Sequence, residues 1–202
     1  MADFLNHKDK LTGVILAGGR AIRMGGLDKG LILLNNKQMV EYVIAALRPQ
    51  VGQLLISANR HIEDYAQLGN CPVFRDTFGH YDGPLAGMAT ALAKAETDYV
   101  LFVPCDCPRL SSQIAKRLYT GLMQNDAEAS VAYDGQRIHP IFSLLKRSLL
   151  NDVLGYLESG ERSIQGFLKR TQLIEVDFSD NPDTFLNIND HLSMNKINQR
   201  KS

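Results

Sequence analysis

Apolar and polar residues along the chain follow two alternating periodicities. Short continuous apolar runs are typical of strands that are buried on both faces. Between them lie segments in which apolar residues recur every three or four positions, as in helices packed on a sheet. The apolar runs are residues 13–16, 54–58, 73–74 and 99–103, and the helical segments are 40–47, 85–93 and 114–122. This alternation predicts an α/β fold with a doubly wound, mostly parallel, Rossmann-like sheet.

The second half of the chain has a less regular pattern. Residues 130–133 and 138–145 are separated by Asp134-Gly135, which predicts a pair of strands added to the sheet in antiparallel orientation. Two further helices are predicted at 149–157 and 164–168. The length suits a single domain, residues 1–194, followed by a polar tail, residues 195–202.

Charge and composition exclude several classes of partner. Lys plus Arg and Asp plus Glu number 22 each, so no overall field attracts nucleic acid or anionic lipid. No apolar run approaches the roughly 20 residues of a membrane span, and the first residues lack the apolar core of a signal peptide. The three cysteines are an odd number, and their spacing is typical of reduced structural thiols. We therefore expect a cytoplasmic enzyme that binds neither nucleic acid nor a membrane.

The segment that follows the first apolar run carries the strongest chemical signal. It is rich in glycine and contains Arg20, Arg23 and Lys29. Glycines allow several backbone N–H groups to point at one anion, and the cations supply net charge. At the carboxyl end of a strand, such a loop predicts a phosphate site in which the amides of Gly18 and Gly19 join Lys29 and Arg23.

This loop differs from two well-known phosphate-binding loops. It contains no G-x-x-x-x-G-K-[ST], and Lys29 is followed by Gly30. It contains no G-x-G-x-x-G either. Both the P-loop NTPase and the NAD-dependent classes are therefore disfavoured.

Three aspartates are candidate ligands or structural groups. Asp106 follows the strongest apolar run and is the candidate magnesium ligand, since Mg²⁺ prefers carboxylate and phosphate oxygens. Asp76 follows the short run 73–74 and is either a second site carboxylate or part of a turn. Asp28 is next to Lys29 and could pair with it. A further turn at Gly83-Pro84 either approaches a nucleotide base or is only structural, and His139 is left outside the catalytic set.

The loop sequence reads L-A-G-G-x-x-x-R-M-G-G-x-D-K from Leu16 to Lys29. This string resembles nucleotidyltransferases of the glycosyltransferase-A type, and most closely the molybdenum cofactor guanylyltransferases. Further matching motifs occur in family order and cover most of the chain. They are 58–60, 83–88, 104–108, 135 with 139–140, 160–162 and 187–189.

The resemblance implies a reaction and its participants. Members of this family transfer GMP from Mg-GTP to the terminal phosphate of molybdopterin, bare or molybdenum-loaded, and release pyrophosphate. The implied cofactor is Mg²⁺ and the implied donor substrate is GTP. Residues from about 11 to 110 would bind the nucleotide and those from about 111 to 194 the acceptor. Transient contacts with cofactor-synthesis enzymes and apo-molybdoenzymes would hand the product over.

The resemblance also implies roles for individual residues. Lys29 would bind the phosphates and Asp106 would bind magnesium. The remaining nucleotide-binding positions would be Leu16, Ala17, Gly18, Gly19, Asn59, Asp76 and Gly83. The sequence departs from the family at Ser57, where an asparagine is frequent.

Three other kinds of function remain as alternatives, one of which is an interaction role in which the cofactor is handed over by contact with synthesis enzymes and apo-reductases. A molybdopterin cytidylyltransferase or another sugar- or alditol-phosphate nucleotidyltransferase would share the fold, but such relatives tend to read Leu-Ala-Ala-Gly where this chain has Leu16-Ala17-Gly18-Gly19. A nucleotide sensor without turnover would not need both Lys29 and Asp106. A comparison of the binding of GTP, CTP and ATP separates these alternatives.

Overall fold

A seven-stranded sheet forms the centre of the molecule. The computed structural model describes residues 8–17, 28–78 and 83–187. The strands within these ranges are β1 (Leu11–Leu16), β2 (Leu33–Leu34), β3 (Lys37–Gln38), β4 (Gln53–Ser57), β5 (Val73–Phe74), β6 (Tyr99–Pro104), β7 (Ala129–Tyr133), β8 (Ile138–Lys146) and β9 (Leu173–Asp177). The sheet has the order β5-β4-β1-β6-β8-β7-β9, while β2 and β3 form a separate hairpin.

The direction of the strands confirms the predicted mostly parallel α/β sheet. β1 pairs in parallel with both β4 and β6, and β4 pairs in parallel with β5. β8 runs antiparallel to both β6 and β7, and β9 is parallel to β7. Consequently β8 is the reversed strand of this sheet. The carboxyl ends of the other six strands therefore meet at one edge.

Helices cover both faces of the sheet. They are α1 (Met39–Leu47), α2 (Ile62–Gly69), α3 (Pro84–Lys94), α4 (Ile114–Gln124), α5 (Leu150–Glu158) and α6 (Ile164–Leu168). The apolar faces of α1, α2 and α4 pack on one side of the sheet and form the first core. Those of α3, α5 and α6 pack on the other side and form the second core. Successive residues of β1 alternate between the two cores: Ile15 faces the first core, and Val14 and Leu16 face the second. This alternation explains why the strand is apolar at nearly every position.

The sequence pattern did not predict helix α2 or strand β9, which the structure contains. α2 is short, and it follows His61, which has a left-handed backbone conformation with φ of 51°. β9 is an edge strand in which Ile174 and Val176 face the first core while Glu175 is exposed. That alternation was a usable signal for a half-buried strand. Helix α2 offered a weaker signal, because most of its side chains are not buried and its apolar stripe is correspondingly narrow.

No helix in the three described ranges is both long and apolar enough to cross a bilayer. The cysteines Cys71, Cys105 and Cys107 are free thiols, as their spacing predicts. Burial raises the pKa of Cys105 and of Cys107 far above the ordinary value for a thiol. Both side chains are therefore protonated packing groups on either side of Asp106.

Candidate active site

The carboxyl edge of the parallel strands brings the predicted polar side chains together. Ala17 directly follows β1, and Asn59, Asp76 and Asp106 each lie two residues beyond β4, β5 and β6. Adjacent strands are about 4.8 Å apart, so the edge from β5 to β6 spans roughly 14 Å. The spacing of these residues is set by the sheet, since they are far apart in sequence.

Lys29 and Asp106 form an ion pair at this edge. The Nζ atom of Lys29 donates to Oδ2 of Asp106 at 3.3 Å. The carboxylate is largely buried, with 10% of its side chain exposed, whereas the lysine side chain is 34% exposed. A charged carboxylate in this position requires a cationic partner. The structure therefore brings together the two residues that the sequence predicts to act on phosphate and metal.

Asp28 has partners of its own next to this pair. Its Oδ1 atom accepts a hydrogen bond from the backbone N–H of Gly30 at 3.3 Å and another from the hydroxyl of Tyr65. The first bond makes Asp28 the N-cap of a 3₁₀ turn over Lys29–Leu31. Sequence reasoning missed Tyr65 because it lies on α2, which the pattern did not predict.

A second polar cluster joins the ends of β4 and β5. Oδ1 of Asp76 accepts from the hydroxyl of Ser57 at 3.0 Å, and its Oδ2 accepts from Nδ2 of Asn59 at 3.0 Å. The backbone N–H of Asp76 donates to Oδ1 of Asn59 at 3.1 Å. The carboxylate is thus held in a fixed orientation, and it is an acceptor-only group. Ser57, the departure from the family pattern, belongs to this cluster.

Leu16 and Ala17 are buried where β1 ends. The carbonyl of Leu16 accepts from the N–H of Cys105 at 3.2 Å, and the N–H of Ala17 donates to the carbonyl of Ser57 at 2.8 Å. These bonds extend the sheet by one residue. Contact of Leu16 and Ala17 with a nucleotide stays a prediction.

Gly83 precedes α3 and has φ of 103°, a conformation that favours glycine. A Cβ at this position would lie 4.0 Å from the carbonyl of Arg162, so the loop before α6 is close to the start of α3. The residues predicted to bind phosphate together with Lys29 are Gly18, Gly19 and Arg23, and they lie outside the described residues.

The magnesium prediction can be tested against the donor set at Asp106. Within the described ranges, no group of three or more His, Cys, Asp or Glu side chains is placed to hold a metal by itself. Mg²⁺ at a nucleotide site needs only one or two carboxylates, because phosphates and water complete its octahedral coordination. The buried carboxylate of Asp106 meets that requirement, and it would hold the ion.

On the other side of β6, an aromatic and ionic cluster lies at the same edge. Nε2 of His139 is 2.7 Å from Oδ2 of Asp134, in the turn between β7 and β8. The imidazole stacks on Phe185 with a centroid separation of 4.1 Å. Two residues before Phe185, Asp183 forms an ion pair with Arg109 at 2.5 Å. This contact joins the loop after Asp106 to the second half of the chain.

Comparison with known proteins places the chain in a family. A model for the MobA-like NTP transferase domain matches residues 13–175. Molybdenum cofactor guanylyltransferase from Vibrio vulnificus (strain YJ016) is 44% identical over 189 residues, which cover 94% of this chain and 95% of the relative. The chain belongs to the molybdenum cofactor guanylyltransferase family. A relative of the same name from Pasteurella multocida (strain Pm70) is also 44% identical, over 88% of this chain and 94% of its own.

A solved structure supports the fold of this guanylyltransferase family member. Molybdopterin-guanine dinucleotide biosynthesis protein A from Archaeoglobus fulgidus superposes with a TM-score of 0.78 at 18% identity, over 94% of this chain and 98% of that one. The resemblance seen in the sequence is therefore confirmed at the level of family and fold. The roles of individual site residues stay predictions.

Gly87 of α3 provides a test of the Asp76 cluster in this family member. A Cβ at Gly87 would lie 3.0 Å from Oδ1 of Asp76 and 3.2 Å from the hydroxyl of Ser57. We expect Gly87→Ala to displace the carboxylate and weaken Mg-GTP binding by about tenfold, because small misplacements at a site have large effects. Calorimetric titration with Mg-GTP measures this change.

The matched control for that substitution is Gly155→Ala. Gly155 lies in helix α5, and nothing is within 4 Å of a Cβ added there. Both substitutions remove a glycine from a helix interior, which stabilises a helix by about 0.5–1 kcal/mol. GTP affinity should fall in the Gly87 variant alone. Equal affinities in the two variants would contradict a role for the Asp76 cluster in nucleotide binding.

The turn between β7 and β8 predicts a pH dependence of stability. The bond from His139, with those from the backbone N–H groups of Arg137 and Gln136, lowers the pKa of Asp134 well below its usual range. A carboxyl whose pKa is lowered by folding stabilises the fold above its unfolded pKa, about 4, and this contribution is lost as pH falls further.

We therefore expect Asp134→Asn to lower the melting temperature at neutral pH. The difference from the parent should narrow as the pH falls below about 4. Thermal unfolding of both proteins across that range is the measurement. A difference that stays constant with pH would show that the charge of Asp134 does not stabilise the turn.

Proposed function

We propose that this chain transfers a GMP unit from GTP to the terminal phosphate of molybdopterin and releases pyrophosphate. The observation that carries the proposal is the Lys29–Asp106 ion pair at the carboxyl edge of β1 and β6. A cation and a carboxylate side by side in this position suit a nucleoside triphosphate with its metal ion. Membership of the guanylyltransferase family supplies the donor and the acceptor.

The chemistry fits a site without a general base. One oxygen of the acceptor phosphate attacks the α-phosphorus of GTP and forms a new P–O bond. The bond from that phosphorus to the bridging oxygen breaks, and pyrophosphate leaves with the electron pair. A phosphate monoester is largely dianionic near neutral pH, because its second pKa is about 6. The nucleophile therefore needs no proton removed.

Positioning and charge neutralisation are then the main tasks of the protein. Lys29 would bind phosphate oxygens, with Arg23 and the amides of Gly18 and Gly19 completing the cradle. Asp106 would hold Mg²⁺, which when bound neutralises charge on the phosphates and the departing pyrophosphate. The polyanionic acceptor would enter from the side of β8, where the His139 cluster lies.

The nucleoside would lie across β4 and β5. The Asp76 carboxylate there is fixed by Ser57 and Asn59, and each of its oxygens retains a further lone pair. Those lone pairs can accept hydrogen bonds from ribose hydroxyls or from the N–H groups of a guanine edge. Roughly 14 Å separates this end of the edge from β6, which leaves room for the triphosphate.

The division of labour between the two halves belongs to the same proposal. Residues from about 11 to 110 carry the nucleotide groups, and those from about 111 to 194 would bind the acceptor. Free thiols at Cys71, Cys105 and Cys107 support a reducing compartment such as the cytoplasm. Handover of product there would use transient contacts with cofactor-synthesis enzymes and apo-molybdoenzymes.

The test is calorimetry with Mg²⁺ and GTP, CTP or ATP in parallel titrations. We expect a preference for GTP that weakens in Asp106→Ala. A preference for CTP would assign the chain to the cytidylyltransferases. Absence of binding for all three nucleotides would overturn the proposal before any molybdopterin is prepared.

A further inference from the structure

Tyr65 is a fully buried residue that lies behind the Lys29–Asp106 pair. Its side chain is 0% exposed and is among the largest of the fully buried side chains in the described residues. It lies on α2, the helix that connects β4 to β5 along the chain, and its side chain belongs to the first core. A tyrosine in such a place requires a partner for its hydroxyl. That partner is Oδ1 of Asp28.

The partner of Tyr65 controls the backbone that carries Lys29. The same Oδ1 atom of Asp28 accepts from the N–H of Gly30 and so caps the 3₁₀ turn that starts at Lys29. Asp28 is itself 9% exposed. A carboxylate with one oxygen fixed by two donors cannot rotate without losing both bonds. The Tyr65 hydroxyl therefore helps to set the position of the turn.

Tyr65 packs next to both segments that carry the ion pair, the turn of Lys29 and the loop of Asp106. A Cβ at Gly30 would overlap the Tyr65 hydroxyl and would lie 3.2 Å from the Cβ of Cys105, the residue before Asp106. The turn of Lys29 thus lies directly on Tyr65 and on the loop of Asp106, and only glycine permits this approach. Burial raises the pKa of Tyr65 far above the ordinary value for a phenol. The hydroxyl therefore stays a donor throughout the working range of pH.

We propose that Tyr65 is a positioning residue for Lys29: through Asp28 it holds the turn that keeps the lysine ammonium beside Asp106 and directed at the nucleotide phosphates. Tyr65 itself does not touch the substrate. This inference rests on the proposed function, in which Lys29 binds phosphate. It adds a group from helix α2, 36 positions along the chain from Lys29, to the machinery of the loop.

The test is a double-mutant cycle of Tyr65→Phe and Lys29→Ala, with the dissociation constant of Mg-GTP as the readout. Removal of one hydrogen bond should weaken binding by about three- to tenfold in Tyr65→Phe alone. In the Lys29→Ala background the same substitution should have no further effect, because the group it positions is gone. Melting temperatures of all four proteins are recorded, since a loss of stability should persist in both backgrounds.

Tyr42→Phe is the matched control. The Tyr42 hydroxyl donates to the carbonyl of Leu34 at 2.8 Å, so the substitution also removes one hydroxyl and one hydrogen bond. It should leave GTP affinity unchanged in both backgrounds. Equal effects of Tyr65→Phe with and without Lys29 would overturn the inference and leave Tyr65 as a core residue only. An unchanged affinity in Tyr65→Phe would also overturn it.

The cycle separates failure of this inference from failure of the proposed function. If Lys29→Ala alone binds and turns over GTP like the parent protein, Lys29 has no phosphate role and the proposed function fails, together with the inference built on it. If Lys29→Ala is impaired and the two substitutions are additive, only the positioning role fails. The first result is read from Lys29→Ala alone, and the second from the comparison of Tyr65→Phe in the two backgrounds.

A second pair of variants tests the same link at Asp28 and leaves Tyr65 in place. Asp28→Ala removes the acceptor, whereas Asp28→Asn retains an oxygen for the bonds from Tyr65 and Gly30. We expect Asp28→Ala, which removes both bonds, to weaken Mg-GTP binding at least as much as Tyr65→Phe does, and Asp28→Asn to restore most of the affinity. If Asn is as harmful as Ala, the acceptor oxygen is not what matters, and the inference fails even when Tyr65→Phe does not fold.

Discussion

Lys29→Ala is expected to slow GMP transfer by roughly 100-fold or more, the typical effect of losing one preorganised group that stabilises charge in the transition state. The reaction brings the acceptor phosphate, a dianion, against the α-phosphate of a polyanionic donor. Lys29 lies at the edge where these groups would meet, and its ammonium is 3.3 Å from the Asp106 carboxylate. Alanine leaves both the phosphates and Asp106 without that cation. Steady-state turnover with Mg-GTP and molybdopterin measures the loss.

Lys37→Ala is the control for that substitution. Lys37 is an exposed lysine of β3 in the hairpin that follows the Lys29 turn. Lys37→Ala removes the same charge, so a general effect of net charge on substrate attraction would slow turnover in both variants. We expect only Lys29→Ala to be slowed. Turnover within a few-fold of the parent in Lys29→Ala would show that its role has been misassigned.

Asp106→Ala is expected to have a comparable effect, also roughly 100-fold, accompanied by a higher magnesium requirement. The carboxylate is largely buried and follows the end of β6, where one good oxygen ligand is enough for Mg²⁺ with phosphates and water. Its loss should change the dependence of turnover on Mg²⁺ concentration as well as the maximal rate. The fold should persist, because the partner Lys29 is 34% exposed and can be solvated.

Asp98→Ala controls for the removal of a carboxylate close to β6. Asp98 directly precedes the strand and is exposed at its opposite end, whereas Asp106 follows the strand. Only the Asp106 variant should alter the magnesium dependence. If the magnesium dependence of Asp106→Ala matches that of the parent, Asp106 is a partner for Lys29 but does not hold the metal.

The local sequence pattern was sufficient for the four parallel strands in the first half of the chain. β1, β4, β5 and β6 are visible as apolar runs because strands with a helical layer on each face have few polar positions. The ends of these runs identified Asp76 and Asp106 as neighbours at one edge, whereas Asn59 came only from the family resemblance. The prediction failed at α2 and β9, where exposure of one face weakens the apolar signal.

The sequence alone therefore determined the family, the parallel strands of the first half of the sheet and the identity of the candidate charged groups at their carboxyl edge. Only the tertiary structure decided which of them touch: Lys29 with Asp106, Asp76 with Ser57 and Asn59, and Asp28 with Tyr65. The physical reason is that periodicity reports which face of an element is buried, whereas contacts between elements depend on strand order and on the packing of helices across it. Tyr65 shows this most clearly, since its hydroxyl reaches Asp28 from a helix that local periodicity did not predict.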